Sequence, residues 1–394
     1  LITGSLLAIW LIFLCVEWAY LRGMVDSVPL RICVTGTRGK SSVTRLITAA
    51  LRGSGMSVLA RTTGAKPVLI FPDGSERVIA RRGPATILEG KKILRLANKL
   101  RVDACVVELM AIQPETIYVE SQKIFRPDIL CVTNVRLDHT AHMGSTKEHI
   151  AACFASAIPA KGTVFVPQEE ICSVFRRTAQ SRKTELIPVR EAHNSYMGKK
   201  NGIFSSEFDE NIRLCVSVCE FLEQDASTVF QATGEVLPDF GSLKVWTALS
   251  TPYRPDWYFV SAFAANEPES TQLILSKLRK NLLLEGRTVI GVLNLREDRG
   301  DRTLLWLEAL RYGKFSEIQK LICLGHHAPA MIRKLKKYTG RELHAWHNLQ
   351  PEEIMLRLSG MTEEKVVVIG MGNMGGAGAG LVDYWERTGK RYEL

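Results

Sequence analysis

The sequence predicts an α/β protein with one N-terminal transmembrane helix, a P-loop domain built on a mostly parallel sheet, and a smaller Rossmann-like domain behind it. Three observations lead there. Leu1 to Leu21 is almost wholly apolar or small. From residue 31 onwards, short apolar runs alternate with helix-length segments. A turn bearing glycines, a lysine and two serines lies at the first strand-to-helix junction. Repeated strand and helix alternation is the pattern of a parallel sheet covered on both faces.

The apolar segment comes first. At ~1.5 Å per residue, residues 1–21 span ~31 Å, about one hydrocarbon core. Glu17 is its only charge, and Trp18 and Tyr20 stand near its end. A signal peptide fits less well because the apolar run is long for a signal core, and a buried helix less well because no polar face is visible. Arg22, Arg31 and Arg38 follow, so the positive-inside tendency puts everything after the helix in the cytoplasm. The expected arrangement is a single-pass membrane protein with cytoplasmic catalytic domains.

The 394 residues leave room for two such domains, and 46% hydrophobic content describes a folded core. With 51 Lys and Arg against 41 Asp and Glu, the formal charge is +10, which favours anionic partners. The nine cysteines form no Cys-x-x-Cys pair, so neither a disulfide framework nor a zinc site is indicated; buried thiols in a reducing compartment are expected.

In the first domain, strands are expected at Arg31 to Thr35, Asp103 to Glu108, Asp128 to Asn134 and Thr163 to Val166, with helices at Ser41 to Arg52 and Lys147 to Ala157. In the second, strands are expected at Trp257 to Phe263, Thr288 to Asn294, Lys320 to Leu324 and Lys365 to Ile369, with helices at Thr271 to Leu284 and Thr303 to Leu310. Closely spaced prolines at 238, 252 and 255 interrupt both series. The expected division is 28–237 and 238–394.

The turn Gly36-Thr37-Arg38-Gly39-Lys40-Ser41-Ser42 joins a strand to a helix, where backbone N–H groups and the helix N-terminus converge on one spot. Gly36 and Gly39 allow close approach, Lys40 would pair with the β and γ phosphates of ATP, and Ser41 would reach Mg²⁺. Two later strands end in Glu108 and in Thr133-Asn134, with Arg136-Leu137-Asp138-His139 following. Ligands in doubly wound folds gather beyond the carboxyl ends of strands, so these groups would face one nucleotide. Glu108 suits a hard cation, and His139 would act on it directly or through water.

Together these residues resemble the Mur ligase superfamily, whose central domain carries a Gly-Thr-x-Gly-Lys-[Ser/Thr]-[Ser/Thr] loop, a strand-end Glu and an Asn-x-x-x-Asp-His segment. The resemblance is strongest to the ligase subunits of poly-γ-glutamate synthases. It extends through Thr62-Thr63-Gly64, Phe263 to Asn266, Ser270-Thr271, Asn294, Arg296, Asp298-Arg299, Asp301-Arg302-Thr303 and Gly370 to Asn373. The family's Asp-His-x-Asp run reads Asp138-His139-Thr140-Ala141 here, and its C-terminal Asn-Asp segment reads Asn266-Glu267-Pro268-Glu269.

The resemblance implies an ATP-dependent ligase that activates a γ-carboxylate as an acyl phosphate for attack by the amine of glutamate. It implies Lys40, Glu108 and His139 as catalytic residues, and Ser41, Glu108 and His139 around Mg²⁺. ATP would be held by the 36–42 loop with Asn134, and Asn211 would approach the adenine. Asn266, Arg296, Asp298 and Arg299 would serve substrate binding or domain closure; alternatively, the charged residues after 294 form a solvated ion-pair network. Implied partners are glutamate, the growing poly-γ-glutamate chain, a multi-span membrane subunit in a bacterial cell membrane, and further copies of the chain. No aromatic residues interleave with the basic clusters, so nucleic acid is not expected. Two rivals are a related ligase with another substrate, such as a folate-like acceptor, and a membrane-anchored P-loop ATPase that makes no bond.

Overall fold

The computed structural model describes residues 2–64, 67–81, 83–190, 207–234, 236, 243–249, 256–361 and 365–393. The boundary expected near 238 lies outside the described residues. The chain divides into two compact units. One comprises Leu1–Val135, His142–Lys200 and Phe208–Leu237; the other comprises Arg136–Ala141, Asn201–Glu207 and Pro238–Leu394. Residues 136–141, which carry Asp138 and His139, therefore group with the second unit.

The first unit is built on β1 (Leu30–Thr35), β2 (Val58–Thr62), β3 (Val68–Ile70), β4 (Glu76–Val78), β5 (Ala104–Glu108), β6 (Ile129–Val132), β7 (Thr163–Pro167) and β8 (Glu185–Val189). They lie in the order β4-β3-β2-β5-β1-β6-β7-β8. β2, β5, β1, β6, β7 and β8 are parallel, and β3 and β4 join antiparallel at one edge. β1 is central: Ile32 registers with Val106 on one side and Ile129 on the other. Its apolar run Ile32-Cys33-Val34 is buried on both faces, hence the absence of polar alternation. The chain leaves β1 to build the sheet in both directions, which opens a crevice at its carboxyl end.

Cys33, Cys105 and Cys131 sit in these three adjacent strands as small buried fillers, and all nine cysteines are free. Burial pushes the Cys105 thiol up from 9.0 to about 12.

Helix α1 (Ile2–Asp26) is continuous, and Thr3–Asp26 is long and apolar enough to cross a membrane. Its C-terminal end is fastened to the first unit through buried Met24 and Val25, with Val28 just beyond. Arg31 braces that end. Its Nη1 donates to the carbonyls of Val25 at 2.7 Å and Val28 at 3.2 Å, and its Nη2 pairs with Asp128 at 2.6 Å. A carbonyl of the last helical turn and one just beyond it are thus satisfied by a charged donor.

The second sheet contains β9 (Lys244–Ala248), β10 (Trp257–Ser261), β11 (Thr288–Asn294), β12 (Lys320–Leu324), β13 (Glu342–Trp346), β14 (Val366–Gly372) and β15 (Gly389–Tyr392), in the order β13-β12-β11-β14-β10-β9-β15. The first five in that order are parallel; β9 and β15 are antiparallel additions. Phe259 and Phe263 stack on Trp385 at centroid distances of 5.7 and 5.9 Å, which seats the C-terminal helix Ala377–Thr388 on this sheet. The helix expected over Thr271 to Leu284 runs Pro268–Lys280 instead. Pro268 occupies its first turn and the Glu267 carboxylate accepts from the Ser270 N–H at 2.8 Å, which starts it earlier. Leu282 at φ 57° lies in left-handed geometry just beyond its end.

Candidate active site

At the carboxyl end of β1 the chain turns through two residues with positive φ, Gly36 at 128° and Gly39 at 80°, and enters helix α2 (Lys40–Gly53). Neither position tolerates a Cβ. One on Gly36 would meet Thr133 Oγ1 at 2.1 Å, and one on Gly39 would meet Asn211 Oδ1 at 2.3 Å. Gly39 is the N-cap and has no side chain with which to cap the helix, and the first turn carries no acidic residue. N–H groups in the first turn of a helix, at the positive end of its dipole, suit an anion.

The loop is held from the neighbouring strand. Asn134 brackets the backbone of Arg38, accepting from its N–H at 3.0 Å and donating to its carbonyl at 3.1 Å, while the Asn134 carbonyl accepts from Thr37 N–H at 3.1 Å. Thr133 Oγ1 donates to the same Arg38 carbonyl. Asn134 is therefore a scaffold of the loop. Asn211, on the helix Asp209–Phe221, is buried against Gly39. Lys40 folds back so that Nζ donates to Gly36 O at 2.8 Å and Thr37 O at 3.3 Å.

Glu108, at the end of β5, is 3% exposed. Its Oε2 accepts from Ser41 Oγ at 2.8 Å and from the Thr63 N–H at 2.6 Å. Behind it lies a pair the sequence reading missed. Arg61 Nη2 donates to the Glu108 carbonyl and to Glu120 Oε1, both at 2.7 Å, while Glu120 Oε2 accepts from the N–H groups of Met110 at 3.0 Å and Ala111 at 2.9 Å. Both side chains are fully buried. The chain on either side of Glu108's peptide is thus pinned by charged hydrogen bonds. The available signal was an arginine inside an otherwise apolar stretch, Val58-Leu59-Ala60-Arg61, which does not by itself name a partner.

These residues suit a hard cation in one respect: the Ser41 hydroxyl and Glu108 carboxylate are two adjacent oxygen donors. Among the described residues, no group of three or more His, Cys, Asp and Glu side chains could hold a metal. A Mg²⁺-like ion that keeps waters and binds phosphate oxygens requires only one or two protein ligands, so the donor set fits such an ion.

The second unit has its own polar constellation. Arg302 makes a bidentate pair with Asp138, at 2.9 and 3.1 Å, and its third nitrogen donates to Asn373 Oδ1 at 2.9 Å. Asn373, just after β14, and Asn294, the last residue of β11, donate to each other's carbonyls at 3.2 and 2.6 Å. His139, at φ 50°, has Nδ1 3.3 Å from Arg299 Nη1. Arg136 Nη1 donates to Ser270 Oγ at 2.7 Å. The Asn266 carbonyl accepts from the indole of Trp306 at 3.0 Å. Arg296 and Asp298, by contrast, form an ion pair with side chains 45% and 60% exposed.

Comparison with known proteins agrees in both units. Residues 34–229 match the Mur ligase middle domain, and residues 248–388 match the poly-gamma-glutamate synthase CapB C-terminal domain. The chain is 30% identical to the PGA synthase CapB of Bacillus subtilis, covering 91% of each chain. It is 29% identical to the capsule biosynthesis protein CapB of Bacillus anthracis, over 98% of this chain and 85% of that one. Among solved structures, E. coli FolC in complex with DHPP and ADP matches with a TM-score of 0.66 at 16% identity, covering 94% of this chain and 92% of that one. MurF from Acinetobacter baumannii matches with a TM-score of 0.64 at 15% identity, covering 93% and 79%. The chain therefore has a Mur-ligase-type fold and belongs to the CapB family of poly-γ-glutamate synthases.

Proposed function

We infer that this chain is the ATP-dependent amide ligase of poly-γ-glutamate synthesis, and that its phosphate loop carries the chemistry. The observation that supports this best is the Ser41 to Glu108 contact beside the uncapped start of α2. A carboxylate does not condense with an amine in water, because its oxygen is a poor leaving group. Moving the γ-phosphoryl group of ATP onto the γ-carboxylate releases ADP and converts that oxygen into a phosphate leaving group. The glutamate amine then bonds to the acyl carbon, the C–O bond to phosphate breaks, and the amine loses a proton.

Such a transfer needs positioning and charge neutralisation more than covalent help. The N–H groups at the start of α2 bind phosphate oxygens. Lys40, held over the loop by two carbonyls, exchanges those contacts for the β and γ phosphates. Glu108 and Ser41 orient a divalent ion, for which we propose Mg²⁺; it would supply charge neutralisation on the phosphates. A solved neighbour contains AMPPNP and Mn, which supports nucleotide and divalent-metal use here. Asn211 is proposed to set the adenine side of the loop.

The long apolar helix α1 is proposed as a single-pass anchor with both units in the cytoplasm. A single helix offers no path across a bilayer for a polyanion, so a multi-span membrane partner is proposed, as is assembly with further copies. Lys40→Ala tests the loop assignment. Loss of ATP turnover with an unchanged circular dichroism spectrum is expected, and retained turnover would refute it.

A further inference from the structure

The geometry points to a second membrane contact on the first unit, formed by residues 83–88 and the first turn of helix α3 (Glu89–Leu100), which we propose seats in the headgroup layer of an anionic bilayer. It rests on the reading of α1 as an anchor.

The direction of α3 carries the argument. Three residues along one of its faces meet α1 and the residue just beyond it in sequence order: Lys91 pairs with Glu17 at 2.6 Å, Arg95 lies over the Tyr20 ring at 5.9 Å, and Asn98 donates to Ser27 at 2.7 Å. The two helices therefore run side by side in the same direction, and the amino end of α3 lies towards the apolar half of α1. Glu17, the one charge in that half, is neutralised by a residue of the folded unit, so the protein surface reaches up α1 at least as far as residue 17. Trp18 and Tyr20, both exposed, stand at the same level, where amphipathic aromatics mark a membrane interface.

What projects beyond this level has the right chemistry. Residues 83–88 read Gly-Pro-Ala-Thr-Ile-Leu, without a charge, and Leu88 is 53% exposed. Lys92, one turn after Leu88 on the same face, is also exposed. An apolar tip followed by a lysine is the pattern of a segment that dips among acyl chains and leaves its ammonium with lipid phosphates. The segment is also held firmly. Arg81 and Glu89 clip its base through two hydrogen bonds at 2.8 and 3.0 Å, and Gly90 packs α3 so closely on its neighbour that a Cβ there would meet Ile124 at 2.8 Å. A flexible tether would let the catalytic unit tumble. Two contacts, one helix and one loop, fix which side of the unit faces the lipid.

The test is spin-label accessibility on the full chain in vesicles of equal parts phosphatidylcholine and phosphatidylglycerol, with Cys15 and Cys172 replaced by Ser. Labels are placed singly by Trp10→Cys, Leu88→Cys and Leu100→Cys, all at exposed positions, so folding is not at risk. Expected is a position-10 label protected from a water-soluble relaxant, a position-88 label partly protected, and a position-100 label, three turns further along α3, fully accessible. Position 10 in lipid with position 88 in water overturns this proposal and leaves the anchor standing. Position 10 in water removes the anchor, and this proposal with it. Lys92→Glu should draw position 88 towards water in these vesicles; an unchanged depth would remove the headgroup attraction from the proposal.

Discussion

Ser41 and Glu108 come from different elements, the first turn of α2 and the last residue of β5, and their side chains meet at 2.8 Å. Glu108→Gln keeps an acceptor for Thr63 N–H but loses the charge. ATP turnover should fall by at least about 100-fold, as when one preorganised electrostatic contact is removed, while stability in urea falls by only about 1–2 kcal/mol. Turnover within a factor of a few of the parent would show that Glu108 does not serve the nucleotide.

Gly39→Ala should be inactive for a steric reason. The added Cβ meets Asn211 Oδ1 at 2.3 Å and is forced to φ 80°, which costs about 1–2 kcal/mol for a non-glycine residue. Relieving the contact with Asn211→Gly in the same chain should recover only part of the lost turnover, because the backbone cost remains and the Asn211 side chain is lost. Full recovery would mean that φ at Gly39 is unimportant.

The Arg61 and Glu120 side chains are fully buried together, so removing one partner leaves an uncompensated charge. Arg61→Ala or Glu120→Ala should destabilise the first unit by about 3–5 kcal/mol, read by urea denaturation, whereas Arg61→Met with Glu120→Leu should recover part of that loss. The two Met110 and Ala111 N–H groups would still lack their acceptor, so turnover should stay low even where stability returns.

Arg302 and Arg296 give a matched contrast in the second unit. Arg302→Ala breaks a buried bidentate pair with Asp138 and should cost about 3–5 kcal/mol. Arg296→Ala breaks an exposed pair and should cost no more than about 1 kcal/mol. Equal costs, read by the same denaturation, would contradict the burial assigned to Arg302.

Seven cysteines are buried, and burial raises the thiols of Cys105 and Cys323 from 9.0 to about 12. A folded pKa above the unfolded one means this stability contribution is complete below pH 9 and is lost as pH rises towards 12. The protein should therefore lose stability steeply in that alkaline window. At pH 8, a thiol reagent should modify Cys172 in the native state but none of the buried seven. Rapid labelling of Cys105 without unfolding would be the opposite result.

The parts of the site legible in the sequence are those whose chemistry is local. Gly36 to Ser42 reads as a phosphate loop because seven consecutive residues make it, and Glu108 because it ends an apolar run. What could not be read are the partners supplied from afar. Arg61 in β2 and Glu120 on a short helical segment are 59 residues apart, and no spacing rule connects them. Asp138 reads as part of the nucleotide motif, yet its carboxylate pairs with Arg302, 164 residues on. The same holds for the fold. β1, β5, β6 and β7 were visible as apolar runs, but β2 carries an arginine, and edge strands such as β13 and β15 alternate too weakly with solvent to stand out. Nor could the sequence show that the Asn134 side chain brackets the Arg38 backbone, since the two residues are far apart in the chain.

The most direct measurement is phosphate release by the full chain in lipid vesicles with ATP and Mg²⁺, with and without glutamate, followed by mass analysis of the product. The account predicts release that depends on glutamate and a ladder of glutamyl products, both abolished by Lys40→Ala. Release indifferent to glutamate and to every other amine, with no amide product, would contradict it.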